Sequence, residues 1–262
     1  MSKTQTPRAD FSRYFAAKQR AYLINISEER DRGQYESLSG TIVSCNGDSI
    51  SLQVPYATGQ EFQESSTQHT TYKLTSESMG DGIQIMAERV KVTENNILHL
   101  KLLGSLEMYQ RRQTPRIDTT IKVFQIRRDS SLAVYRKEFK RIMDGMNTKG
   151  IRPNIKLQET LINLSAGGIR IAIEAQEPVS PLSMLFLDLD ASQPLVCAIA
   201  ELAWSRHENN LLVCGYRFMQ IRKTDQERIS RYVASTQKDQ GITTAAKTYW
   251  ELLDRMTNED PE

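Results

Sequence analysis

Apolar and polar residues alternate with a period of two along most of this chain, and the period changes at only a few places. From Gly40 the stretch "GTIVSCNGDSISLQV" reads as two strands joined at "NGD", where Asn46 and Gly47 suit positive φ. "TTYKLTS", "GIQIMAERVKV" and "ILHLKLL" continue the alternation, and "TENN" supplies a further turn. Five short strands with tight turns and no long helix predict a small antiparallel barrel, split-barrel-like, over residues 34–106.

Downstream, "IDTTIKVFQI", "KLQETLINLSAGGIRIAIEA", "LSMLFLDL", "LVCAIAELAW" and "LLVCGYRFM" return to strand texture, with a reversal near "HENN". They predict a second β domain over residues 107–236. Two segments within it switch to the helical period. "DSSLAVYRKEFKRIMDG" sets Leu132, Tyr135, Phe139, Ile142 and Met143 at helical spacing, with Asp129 and Ser130 placed to cap the start and Gly145 to end it. This helical insertion at about 129–146 reads either as a surface helix or as a partner-binding or dimer-forming element. "KTDQERISRYVASTQ" opens a helix with Thr224 and Glu227 at capping-box spacing. At the chain ends, "FSRYFAAKQRAYL" puts Phe11, Phe15, Ala16 and Tyr22 near one helical face, which predicts a helical segment over 1–33. "AAKTYWELLDRM" predicts a helical tail over 237–262. The expected fold class is mainly β: two small antiparallel β-barrel domains with flanking helices.

Composition narrows the function classes. The 262 residues include 34 basic and 32 acidic side chains, a net charge of +2. That near-balance argues against a binder of nucleic acid polymers, which carries a large basic excess, so any anion site is local. No apolar run approaches the roughly 20 residues of a membrane span, and the first residues have no apolar signal core. Cys45, Cys197 and Cys214 sit in apolar strand-like runs and read as reduced core residues of a cytoplasmic protein. No CxxC occurs and the three histidines are scattered, so no metal site is expected. No nucleophile elbow, P-loop or HExxH is present. Asp188 and Asp190 share a face at a strand end and read as a solvated edge. An enzyme is not expected.

Two polar stretches carry candidate chemistry. "YQRRQTPRID" places Arg111, Arg112, Arg116 and a proline between two strands, where Pro cannot donate to a ladder. Taken alone it reads as a charged interdomain linker, or as one that reaches a carboxylate next door. "NLSAGG" lies at a strand end. Asn163 and Ser165 point the same way from an extended backbone, and Gly167 and Gly168 lack a Cβ, so a ligand can come close. The same residues are good turn or bulge material.

Together the two stretches form RxxxR followed by [D/N]xSxxG, and this resembles the PilZ domain, a small β-barrel receptor for the bacterial second messenger cyclic di-GMP. The end of the chain's second β domain, "ELAWS" to "LLVCGYRFMQI" and a closing helix, is similar to the end of such a barrel. The first β domain resembles in texture and order the N-terminal domain of flagellar-brake (YcgR-like) proteins. The resemblance implies a non-catalytic receptor without a cofactor. Its ligand contacts would be Arg111, Arg112, Arg116, Asn163, Ser165 and Gly168, with Gly167 beside them. It also implies that the bound ligand orders the linker, changes the interdomain arrangement and alters partner binding. The output would be motility or a surface or biofilm function, through a protein partner such as a flagellar motor or secretion component.

Arginine suits this ligand because its planar fork can read guanine O6 and N7, stack on a base or pair with phosphate. The family often has Asp where this chain has Asn163. Asn keeps an acceptor and gains donors, but it loses charge pairing with Arg. Two other readings remain beside it: a PilZ-like protein-interaction adaptor that binds no nucleotide, and an oligonucleotide-binding barrel, which low charge and sparse aromatics disfavour.

Overall fold

Strand periodicity dominates because one face of each alternating segment finds an apolar interior and the other finds water. The computed structural model describes residues 10–26, 34–55, 70–78, 81–109, 115–149, 155–174 and 179–241. The first barrel is built from β1 (Arg20–Asn25), β2 (Gln34–Asn46), β3 (Ser49–Gln53), β4 (Thr71–Ser78), β5 (Asp81–Thr93) and β6 (Ile97–Tyr109). They hydrogen-bond in the order β1-β4-β5-β6-β3-β2, and β2 pairs back onto β1, so the ring closes. Leu23, Ile42, Ile50, Leu52, Leu74, Leu98 and Leu100 fill the interior.

The strand expected count of five is corrected to six, because β1 occupies the segment read as a helix. Among described residues 10–26 there is no helix: turns run from Ser12 to Lys18, and Lys18 has φ 69, which interrupts any helical path. Phe11 and Phe15 are buried as the helical reading required, but from turns that cover the barrel core. Within the β2–β3 hairpin Asn46 pairs with Ser49, and Gly47 at φ 59 takes the positive conformation while Asn46 does not. The "TENN" turn uses Asn95 and Asn96 at φ 66 and 58.

The second barrel contains β7 (Ile117–Arg127), β8 (Gln158–Ser165), β9 (Gly168–Glu174), β10 (Leu182–Asp188), β11 (Val196–Glu208) and β12 (Leu211–Arg222). Its order is β12-β11-β10-β7-β8-β9, with β9 closing onto β12. Asn209 and Asn210, both at positive φ, form the two-residue β11–β12 hairpin of the type in which both central residues are left-handed.

The apolar run in β10 is explained by burial on both faces. Leu185 and Leu187 point into the barrel, and Leu182, Met184 and Phe186 point outward. The outward set is covered by α1 (Leu132–Lys149), through Leu132, Tyr135, Phe139 and Met143. The helical insertion is thus an outer cover of β10 and β11. It runs through Gly145 to Lys149, and its first turn starts at Ser131, whose carbonyl accepts from Tyr135 N at 3.3 Å. α2 (Lys223–Asp239) closes the second barrel with Ile229 and Val233. The Thr224–Glu227 capping box does not form, because the helix already begins at Lys223. Asp225 is buried in that first turn between Arg222 Nε at 2.7 Å and Arg228 Nη1 at 2.9 Å. The predicted tail "AAKTYWELLDRM" lies outside the described residues.

The barrels are stitched through their backbones. The first residues of β2 pair with the last of β12, with Glu36 opposite Gln220, Tyr35 opposite Ile221 and Gln34 opposite Arg222. Among the described residues all twelve strands therefore form one continuous sheet. Among the described residues no helix is long and apolar enough to cross a membrane.

Candidate ligand site between the barrels

Strand pairing brings the two polar stretches together. Asp118 on β7 lies opposite Asn163 on β8, and Asn163 lies opposite Arg170 on β9. Three neighbouring side chains on three strands follow, and two of them donate to the third. Asn163 Nδ2 donates to Asp118 Oδ1 at 3.1 Å, and Arg170 Nη2 donates to the same oxygen at 2.8 Å. The carboxylate that Asn163 does not supply is thus provided one strand away by Asp118, which pairs with an arginine.

α2 braces both stretches from behind. Gln237 Nε2 donates to the Arg116 carbonyl at 3.5 Å, Gln240 Nε2 to the Asp118 carbonyl at 3.3 Å, and Gln226 Nε2 to the Ala166 carbonyl at 3.1 Å. Each of these bonds ties backbone at one motif half to this helix or, for Gln240, to the residue that caps its end.

A cavity of about 800 Å³ opens between the barrels. That is within the range of roughly 300–1,000 Å³ that holds small ligands. Arg116, Asn163, Ser165, Gly167 and Gly168 all line it. Arg111 and Arg112 lie outside the described residues. Ser165 is buried, and its hydroxyl donates to the Gly168 carbonyl at 3.3 Å, which holds the β8–β9 turn closed.

The two glycines have different reasons. At Gly167 nothing lies within 4 Å of where a Cβ would be, so this backbone is open to approach. At Gly168 a Cβ would overlap the Tyr216 carbonyl oxygen. Gly168 is therefore required for the close approach of β9 to β12.

The cavity has a second wall that sequence reading missed. Gln19, Arg20, Tyr22, Ser76, Glu77 and Tyr109 come from the first barrel, and Trp204 and Arg217 from the second. Tyr109 and Trp204 each lie over a glycine, Gly82 and Gly215, where any Cβ would strike the ring. A bulge in β11 between Leu202 and Trp204 leaves Ala203 out of register. Its freed carbonyl accepts from Arg20 Nη1 at 2.8 Å.

At the back of this wall sits the buried carboxylate of Glu201. It accepts from Arg20 Nη2 at 2.8 Å, from Arg217 Nη2 at 3.2 Å and from the Ser39 hydroxyl. Arg217 also donates to Ser37 Oγ at 2.6 Å, and its guanidinium lies 4.2 Å from the Tyr22 ring centre. One carboxylate on β11 thus joins a cation from each barrel. Burial pushes the nearby Tyr216 phenol up, so it stays neutral. Asp190, one of the paired carboxylates at the end of β10, accepts from Ser192 N and Oγ, bonds that hold its carboxyl below the usual range.

The comparison with protein-family models agrees with the motif. The PilZ domain model matches residues 110–235. No curated protein matches the chain in sequence. Among solved structures, the chain is similar to the Bacillus subtilis inhibitor of motility MotI/DgrA, with 13% identity, 86% of this chain and 98% of that one covered, and a TM-score of 0.36. It is similar to Escherichia coli YcgR in complex with c-di-GMP at 14% identity, with 84% of each chain covered and a TM-score of 0.30. The K. pneumonia MrkH–c-di-GMP complex matches at 12% identity, over 86% of this chain and 90% of that one, with a TM-score of 0.30. Residues 110–235 are a PilZ domain.

Proposed function

We propose that this chain is a cyclic di-GMP-binding effector whose ligand occupies the cavity between the barrels. The ligand contacts are Arg111, Arg112, Arg116, Asn163, Ser165, Gly167 and Gly168. The observation that carries this reading is the meeting of Arg116 with the Asn163 to Gly168 turn in one cavity of about 800 Å³. Charge-assisted hydrogen bonds from arginine suit a phosphodiester, and Asn and Ser suit a guanine edge.

The functional units of this proposal are the first barrel, from β1 to β6, and the PilZ domain that follows it. Ligand capture changes how these units sit together. A ligand shifts such an equilibrium by its differential contacts with the two arrangements, and a site lined from both barrels supplies them. The changed shape alters binding of a protein partner, such as a flagellar motor or secretion component, in the cytoplasm. The output is motility or a surface or biofilm function.

Calorimetric titration with cyclic di-GMP, with GTP and cyclic GMP as controls, tests the ligand. Saturable binding of cyclic di-GMP alone, lost in Arg116→Ala and weakened in Asn163→Ala, is expected. Wild-type affinity in both variants would refute the site. Small-angle scattering with and without saturating ligand tests the rearrangement, and superimposable curves would refute it.

A further inference from the structure

The first barrel contributes a cation to the same cavity. Arg20 lies on β1, far in sequence from either motif stretch, yet it lines the cavity with Arg116, Asn163 and Gly168. It is held from the second barrel, by Glu201 Oε1 at 2.8 Å and by the Ala203 carbonyl at 2.8 Å. A longer bond of 3.4 Å goes to the Leu202 carbonyl. These bonds use three of the five N–H groups of a guanidinium. The side chain is still 40% exposed, so part of the group faces open space.

The charge count favours an anion. Glu201 carries one negative charge against the two positive charges of Arg20 and Arg217, so the cluster keeps one net positive charge. Both Glu201 oxygens are occupied by internal donors, and the carboxylate is buried behind them. The Arg20 chain direction is fixed as well, since the Arg20 carbonyl accepts from Ser76 Oγ at 2.7 Å. A cation fixed at both ends loses little freedom on meeting a ligand, which favours affinity.

We propose that Arg20 is a ligand-binding residue that meets a phosphodiester of the bound dinucleotide, with Glu201 as its positioning residue. The binding site then belongs to both barrels, and the ligand bridges them through Arg20 on one side and Arg116 and Asn163 on the other. This inference rests on the cyclic di-GMP reading above and extends it to the first barrel.

The experiment is calorimetric titration of the full chain with cyclic di-GMP across a series of salt concentrations. It compares the wild type with Arg20→Ala, Arg20→Lys, Glu201→Gln and Arg116→Ala. Arg20→Ala is expected to weaken binding by about tenfold or more, and to make affinity less sensitive to salt. Arg20→Lys keeps the charge and is expected to keep the salt sensitivity with part of the affinity. Glu201→Gln breaks the same ion pair but leaves the Arg20 charge, so the salt sensitivity persists.

If Arg20→Ala keeps wild-type affinity and salt sensitivity while Arg116→Ala loses binding, the receptor reading stands and the Arg20 role is overturned. If Glu201→Gln loses salt sensitivity as fully as Arg20→Ala, Arg20 acts only in holding the barrels together, and the role is again overturned. Failure of the wild type to bind cyclic di-GMP would overturn both.

Discussion

Replacing Glu201 by Ala isolates what the buried carboxylate does for stability. In the wild type it joins Arg20 of the first barrel and Arg217 of the second, and it accepts from Ser39. The two arginines lose different amounts. The Arg20 side chain is 40% exposed and, once Glu201 is removed, can turn into water, so losing this partner costs it under about 1 kcal/mol. Arg217 is 19% exposed and anchored on Ser37 and Tyr22, so it cannot follow. Leaving a mostly buried guanidinium without its carboxylate costs about 3 kcal/mol, at the lower end for a broken buried pair because Ser37 still accepts from it. With an urea m-value of about 3 kcal/mol/M, the unfolding midpoint should fall by about 1 M. Replacing both partners, as in Glu201→Leu with Arg217→Met, should recover most of the loss. A midpoint change under about 0.3 M for Glu201→Ala would show that the arginines are solvated and that the cluster holds nothing together.

Three further outcomes follow from the packing. Gly168→Ala should cost about 2 kcal/mol or more, because the new Cβ overlaps the Tyr216 carbonyl, whereas Gly167→Ala should change stability by less than about 0.5 kcal/mol; equal unfolding midpoints would refute the distinction. Phe139→Ala removes a fully buried ring between α1 and the outer face of β10 and β11, and should cost about 3–5 kcal/mol by denaturant unfolding; a loss under about 1 kcal/mol would show that α1 is only loosely applied. Burial pushes the Cys197 thiol far above its ordinary range, so an aromatic disulfide reagent at mildly alkaline pH should label half-buried Cys45 first and reach Cys197 only on unfolding. Labelling of Cys197 at the rate of Cys45 in the native protein would contradict this.

Most strands were legible because one period governs each of them and local turn residues punctuate them. β7 shows this directly, with Ile117, Ile121 and Val123 buried as the alternation requires. β1 was misread because Phe11 and Phe15 are spaced like one helical face. Their burial comes from turns, and the partners that make Arg20–Asn25 a strand, β2 and β4, lie far along the chain. The capping box at Thr224 failed for a related reason, since buried Asp225 and its two arginines set the start of α2.

The same division applies to the site. Its motif wall could be read because Arg116 and the Asn163 to Gly168 turn sit in short, patterned stretches. The other wall could not. Arg20, Ser39, Glu201 and Arg217 are single residues on four strands, and what collects them is the pairing of β2 with β12. The one local signal was "ELAW", where an acidic residue stands inside an apolar run that ends in a bulge. A buried carboxylate of that kind requires cationic partners, although nothing in its neighbourhood names them.

The β2–β12 pairing also has a bearing on the order of events during synthesis. The first ring's strands have all emerged once β6 has, because the sixth ends at Tyr109. Its partner in the stitch, the stretch from Gln220 to Arg222, leaves the ribosome only after nearly all of the second ring. Until then the opening residues of β2 present an unpaired edge, and Arg20 has no carboxylate to meet. The segments that close the first barrel therefore emerge before those that complete the shared cavity.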